Sequence, residues 1–401
     1  PSIPIPACWT ATTTYCRERL LRVRLSGAST AVTASAVMRW QISLFLVRLQ
    51  DIRRLCVRKH GKAPVSPAAR CLPGLHLRTH AMPDSHRVYS YSAVLMGSPI
   101  LLKLFSHDEA LASRVFRLIK QYEDLLTVNR AHSQVMDINH AAGQHPVAVS
   151  RPVFELIRCA KAASLLKDSA FNLAIGPLVK CWKIGFKGDA VPPADEIAAL
   201  MGITDPADVV LDEANSSVFL TRQGMEIDLG AIAKGYIADR VRDYLHKEGA
   251  ELGLINLGGN VQTLGSPEGG WRVGLKKPFA GDALIGAMTV ENRSVVTSGT
   301  YERYFEQNGK RYHHILDPRT GYPLDNELDS VTIISPDSLD GDIWTTLIYG
   351  MGVEKGCAAL RSRPDIEAIF VTKTKEVVIS SMHHFRFTLL DDSYRITGST
   401  A

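Results

Sequence analysis

From residue 82 onward, strand-like segments come in runs and helical periods are inserted one at a time. That order constrains the fold most, because strands in uninterrupted runs pair antiparallel through short links, whereas a doubly wound parallel sheet needs a helix after nearly every strand. Residues 88–105 alternate as a hairpin, with Gly97-Ser98-Pro99 near its turn. Residues 108–126 form an amphipathic helix with Leu111, Val115, Leu118 and Leu125 on its apolar side, and a second helix is expected over 151–166. Strands are expected at 209–211, 217–221 and 225–229, followed by a helix over 231–247 that stops at Gly249. Further strands fall at 252–257, 271–275, 286–290, 294–297, 310–316 and 331–334, then a short helix over 342–350 and hairpins over 366–390. The expected class is α+β, largely antiparallel sheets with inserted helices, forming one catalytic unit over 82–401.

The chain has 401 residues, 45% of them hydrophobic and 22% charged, enough for a substantial core. Its net charge of +5 suggests an acidic partner only until the charges are located. Residues 1–81 hold eleven Arg and two Lys against Glu18 and Asp51, and the remainder is mildly acidic. A nucleic-acid partner for the body is therefore not expected. The first 81 residues keep no helical or strand period and hold four of the seven cysteines. Their apolar run at 42–47 is too short to span a bilayer, and Arg53-Arg54 follows it, which fits neither a secretory nor a twin-arginine signal. The expectation is a basic extension, disordered or from an upstream-extended reading frame with translation from Met82; an organellar transit peptide is the alternative. Beyond it Cys159, Cys181 and Cys357 are too few and too far apart for a disulfide framework or a thiolate zinc site. No membrane span is visible, and cytoplasm is the expected compartment.

Four segments carry chemistry. Residues 228–235 (Asp-Leu-Gly-Ala-Ile-Ala-Lys-Gly) open a helix, where free backbone N–H groups and Lys234 can meet a phosphate. An ordinary cap followed by a solvated lysine is the competing reading. The Asn-Leu-Gly-Gly-Asn run at 256–260 ends a strand in a glycine pair. His313 and His314 fall on opposite faces of a strand, just before an Asp-Pro-Arg-Thr-Gly turn. One of them can serve a hydroxyl nucleophile as a base; a surface histidine is the bland alternative. Asp342 and Thr346 share a helix face at i, i+4 and offer hard oxygen ligands suited to magnesium, a spacing also common by chance.

Taken in order, these segments resemble the ApbE family, the FAD:protein FMN transferases. The resemblance runs from about Val94 to Gly352. It is carried by residues 228–235, by Asn256 to Asn260, by Thr297-Ser298-Gly299 with Tyr301 and Arg303, by the run from His314 to Gly321, and by Phe171 with Gly176 to Val179 and Trp182. It implies magnesium held by Asp342, Thr346 and the main-chain carbonyl of Ala231. Asp228 and Lys234 match residues that contact FAD, which is the substrate. Met96, Ala170, Phe171, Asn172 and Ile315 match flavin-site positions, and His314 matches the histidine implicated in transfer, with Lys234 assisting. The implied reaction moves FMN from FAD to a Ser or Thr hydroxyl of an acceptor flavoprotein and releases AMP. The acceptor, expected to be a flavin-dependent reductase, carries a motif ending Ser/Thr-Gly/Ala-Ser/Ala-Thr, and its last threonine is modified. Asn129, Asn172, Ala174 and Thr300 depart from the family pattern and put individual flavin contacts in doubt. The rival readings are an FAD pyrophosphatase, with water as acceptor, and a flavin-binding or electron-transfer protein without turnover.

Overall fold

A computed structural model of the chain describes residues 87–186 and 188–398. The expected basic extension over 1–81 lies outside the described residues. In chain order the first strands are β1 (Tyr89–Leu95), β2 (Ser98–Leu104), β3 (Val147–Ala148), β4 (Val209–Asp212), β5 (Ser217–Leu220) and β6 (Gly253–Leu257). Next come β7 (Asn260–Leu264), β8 (Trp271–Lys276), β9 (Leu284–Val290), β10 (Ser294–Gly299), β11 (Tyr304–Gln307) and β12 (Lys310–His313). The last are β13 (Leu328–Ser335), β14 (Glu367–Thr372), β15 (Glu376–Ile379), β16 (Phe385–Leu389) and β17 (Arg395–Ile396). The helices are α1 (Glu109–Leu126), α2 (Gln134–His140), α3 (Arg151–Ser164), α4 (Gly176–Trp182), α5 (Ala194–Met201), α6 (Ala233–Lys247) and α7 (Ser338–Leu360).

The main sheet runs β1-β2-β6-β7-β10-β13-β14-β15-β17. Its neighbours are antiparallel except β15 and β17. Its middle strands are buried along almost their whole length, because both faces are covered. One face carries α1, α6 and α7, through residues such as Leu102, Val115, Ile119, Ile237, Ile255 and Leu347. The other carries the small sheet β16-β9-β8, where Trp271, Met288 and Phe385 meet Val295, Ile334 and Ile369. A hydrophobic layer on each side of an antiparallel sheet is the α+β arrangement expected from the order of elements. Among the described residues no helix is long and apolar enough to cross a membrane. No disulfide joins Cys159, Cys181 and Cys357.

Several expected elements take another form. Residues 225–229 are not a strand: Asn139 replaces a neighbouring strand, accepting from the N–H of Ile227 at 2.8 Å and donating to its carbonyl at 3.0 Å. The helix expected from 231 starts at Ala233, after a turn closed by Leu229. The strand expected over 310–316 ends at His313, where the chain leaves β11 for the Asp-Pro turn. The short helix expected over 342–350 extends over Ser338–Leu360 and is broken at Gly352, whose φ of 75° no L-residue adopts readily. Finally, β16 does not continue the β14–β15 hairpin but crosses to pair with β9.

Candidate active site

The crossing of α6 and α7 fixes one half of the site. The two helices approach so closely that a Cβ on Gly235 would fall 2.3 Å from the carbonyl oxygen of Ser338 and 2.8 Å from Oδ2 of Asp342. The missing side chain lets the N–H of Gly235 donate to that Oδ2 at 2.5 Å. Asn260, at the end of the glycine turn between β6 and β7, donates from Nδ2 to Oδ1 of the same carboxylate at 3.0 Å. Its own Oδ1 accepts from the hydroxyl of Ser338 at 2.6 Å. The start of α7 is capped from α6: Asp239 accepts from the N–H groups of Ser338 and Leu339 at 2.8 and 2.9 Å. Arg242 spans from Asp239 to Asp337, at 3.3 and 2.8 Å. Gly235→Ala is therefore expected to destabilise the fold by about 1–3 kcal/mol, the usual cost of overpacking, and to weaken any function of Asp342. Thermal or urea unfolding of the variant checks this.

Asp342 is buried, and burial pushes its pKa up to about 6 against the opposing charge of Lys234. Among the described residues no Lys or Arg nitrogen lies within ion-pair distance of it, so the buried carboxylate lacks a cation partner. Thr346 stands one turn along α7 and half-buried, and Ala231 is exposed just before α6. Among the described residues no cluster of three His, Cys, Asp or Glu could hold a metal. One carboxylate, one hydroxyl and one carbonyl fit magnesium, which keeps waters and takes substrate phosphates for its remaining positions.

The other half of the site is the histidine strand. His313 points into the core, with Nε2 on the carbonyl of Leu324 at 2.7 Å and Nδ1 accepting from the N–H of Ile315 at 3.3 Å. Its ring lies edge-on to Tyr349, at 6.0 Å between centroids. Both nitrogens are committed, so it is a structural histidine. His314 is half-buried, and its backbone N–H and its Nδ1 both reach the carbonyl of Arg303, at 3.1 and 3.3 Å. Burial and the charge of Arg303 push its pKa down to about 4, with smaller contributions from His313 and Lys234. The imidazole is thus neutral at pH 7, and a proton on Nδ1 leaves the Nε2 lone pair available.

Lys234 acts electrostatically on both Asp342 and His314. The two halves thus lie within electrostatic reach of one lysine at the N-terminal end of α6. Asp228 stands beside them: Oδ1 accepts from the N–H of Gly230 at 2.7 Å, and burial raises its pKa against the pull of Arg303. Its own N–H donates to the carbonyl of Leu173 at 2.8 Å, tying this turn to the 170–174 segment.

The expected flavin positions divide. Met96, half-buried with φ of 52°, forms the β1–β2 turn, and a Cβ on the neighbouring Gly258 would fall 2.7 Å from Cβ of Ser98. The 96–98 turn and the glycine turn therefore lie side by side at one end of the main sheet. Ala170 and Ile315 spend their side chains on a small core with Leu324 and Tyr349. Asn172 is engaged locally, donating to the carbonyl of Thr204 and accepting from the N–H of Ala174, each at 2.8 Å. Phe171 and Asn172 border an open cleft of about 330 Å³ with Thr204, Pro318 and Arg319. Asn129 is exposed, its N–H donating to the hydroxyl of Thr127 at 3.1 Å. Thr300 is buried, its hydroxyl donating to the carbonyl of Asp329 at 3.3 Å. Sequence reasoning gave no role to Asn260, Gly235 or Asp239, and none to Arg303 although it lies in a quoted motif.

The family model described as ApbE family matches residues 96–370. An FAD:protein FMN transferase of Klebsiella pneumoniae (strain 342) is 72% identical over 319 residues, covering 79% of this chain and 100% of the relative. One from Treponema pallidum (strain Nichols) is 36% identical, over 76% of this chain and 90% of its own. Among solved structures, the ApbE protein of Thermotoga maritima superposes with a TM-score of 0.65 at 32% identity, over 72% of this chain and 95% of that one. The flavin transferase ApbE of Vibrio cholerae gives 0.64 at 26%, over 77% and 98%.

Proposed function

The chain belongs to the ApbE family, and on that premise we propose that this flavin transferase moves FMN from FAD to a Ser or Thr hydroxyl of an acceptor flavoprotein, releasing AMP. The observation that supports the mechanism is that the charge of Lys234 acts on both the buried carboxylate of Asp342 and the imidazole of His314. A phosphate at the start of α6 would meet a cation-binding group on one side and a base on the other.

Asp342, Thr346 and the carbonyl of Ala231 would hold the ion. Magnesium bound there would neutralise charge on the pyrophosphate and make AMP a better leaving group. His314 would take the acceptor hydroxyl proton on Nε2. The hydroxyl oxygen then bonds to the phosphorus on the FMN side, and the bond from that phosphorus to the bridging oxygen breaks, its electron pair leaving with AMP. Lys234 would stabilise charge on the phosphate oxygens without moving. Asp228 would help to seat FAD at the 228–230 turn. The acceptor fitting this reading is a flavin-dependent reductase bearing the Ser/Thr motif.

Chromatography of nucleotides after incubation with FAD and magnesium tests the reaction type. Transfer predicts AMP formed only with a hydroxyl-bearing acceptor, in equal amount to bound flavin. Free FMN and AMP at the same rate without acceptor would replace transfer by hydrolysis.

A further inference from the structure

Arg303 is exposed, and among the described residues no carboxylate lies within ion-pair distance of it. Nearby arginines differ: Arg311 pairs with Glu306 at 3.0 Å and Arg319 with Asp317 at 2.8 Å. Yet Arg303 is held firmly. Its stem lies against Gly185, where a Cβ would come within 2.6–2.9 Å of Cδ, Cγ and Cβ of the arginine. Its guanidinium carbon sits 5.7 Å from the centroid of the Phe186 ring. Its charge is felt at Asp228 and at His314, on separate segments, and its carbonyl accepts both hydrogen bonds that orient His314.

We propose that Arg303 is a further substrate-binding residue, its guanidinium donating to the phosphate being transferred while its main-chain carbonyl orients His314. The inference rests on the flavin-transfer reading above. An arginine fixed by its stem but not neutralised is preorganised for a phosphate, because its planar fork matches two oxygens and little side-chain freedom remains to be lost. During transfer, negative charge spreads over the non-bridging oxygens of the FMN phosphate, and a fixed cation there acts most strongly as the bonds exchange. No covalent step passes through Arg303.

The test compares the full chain with R303Q and R303K for FMN transfer to a motif-bearing acceptor. FAD binding without metal is followed by flavin fluorescence, and stability by thermal midpoint. R303Q is expected to lower kcat by about 10²–10³-fold, as loss of one charge-stabilising donor does, with a much smaller change in FAD affinity and an unchanged midpoint. R303K should recover part of the rate. The acid limb of kcat/KM should also move to higher pH in R303Q, because a cation that adds to burial in keeping the His314 imidazole neutral is gone while His313 and Lys234 remain. A kcat within about threefold of wild type and an unmoved limb would overturn the inference. So would equal losses in R303Q and R303K with a lowered midpoint, which would leave only packing against Gly185. Failure of wild type to transfer would instead remove the flavin-transfer reading.

Discussion

His314→Ala is expected to lose FMN transfer by about 10²–10⁴-fold, the range typical of a removed general base, while FAD still binds. The reason is positional. His313 spends both nitrogens on Leu324 and Ile315, whereas His314 spends only Nδ1 on the carbonyl of Arg303 and keeps Nε2 available. Burial and Arg303 push its pKa down to about 4, so the base form is present throughout the neutral range. The wild-type acid limb of kcat/KM should accordingly fall near pH 4 in the free enzyme rather than near an ordinary histidine value, with activity lost as pH drops through it. A pH series on wild type and variant, with FAD binding measured separately, checks both points. Transfer at wild-type rate in the alanine variant would remove the histidine from the chemistry.

Asp342→Asn is expected to abolish the saturable response of transfer to magnesium. The isostere keeps the volume and one acceptor oxygen, but its amide opposes a donor already fixed, either the N–H of Gly235 or Nδ2 of Asn260. One lost hydrogen bond and one unmatched donor should cost about 1–3 kcal/mol of stability, separable from the metal effect by unfolding measurements. Asp342→Ala would leave both donors unmet and destabilise more. Calorimetric titration of the asparagine variant should show no magnesium binding. A titration equal to wild type would refute the ligand assignment.

The α+β order and most core elements were legible because period and turn chemistry are local. The apolar side of α1 is readable from Leu111 to Leu126, and the hairpin of β1 and β2 from its alternation around Gly97. What the sequence hides is what depends on distant partners. Asn139 standing in for a strand beside Ile227 joins residues 88 apart, and no periodicity announces it. Gly235, Asn260 and Asp239 matter only because α6, the glycine turn and α7 meet, across separations of 107, 82 and 99 residues. The spacing of Asp342 and Thr346 was visible, but the buried and cation-deficient setting of the carboxylate was not. His313 and His314 could be separated by strand alternation and the resemblance pointed to His314, while the physical difference between them needed the carbonyls of Leu324 and Arg303 in place. Arg303 was visible only as a letter in a motif; its significance comes from the absence, among the described residues, of a carboxylate within ion-pair distance.

Intact-protein mass spectrometry of a motif-bearing acceptor, after incubation with this chain, FAD and magnesium, tests the central claim most directly. The account predicts a mass gain of one FMN less water on the acceptor, lost when the motif threonine is replaced by alanine. An acceptor of unchanged mass while FAD is consumed would contradict it.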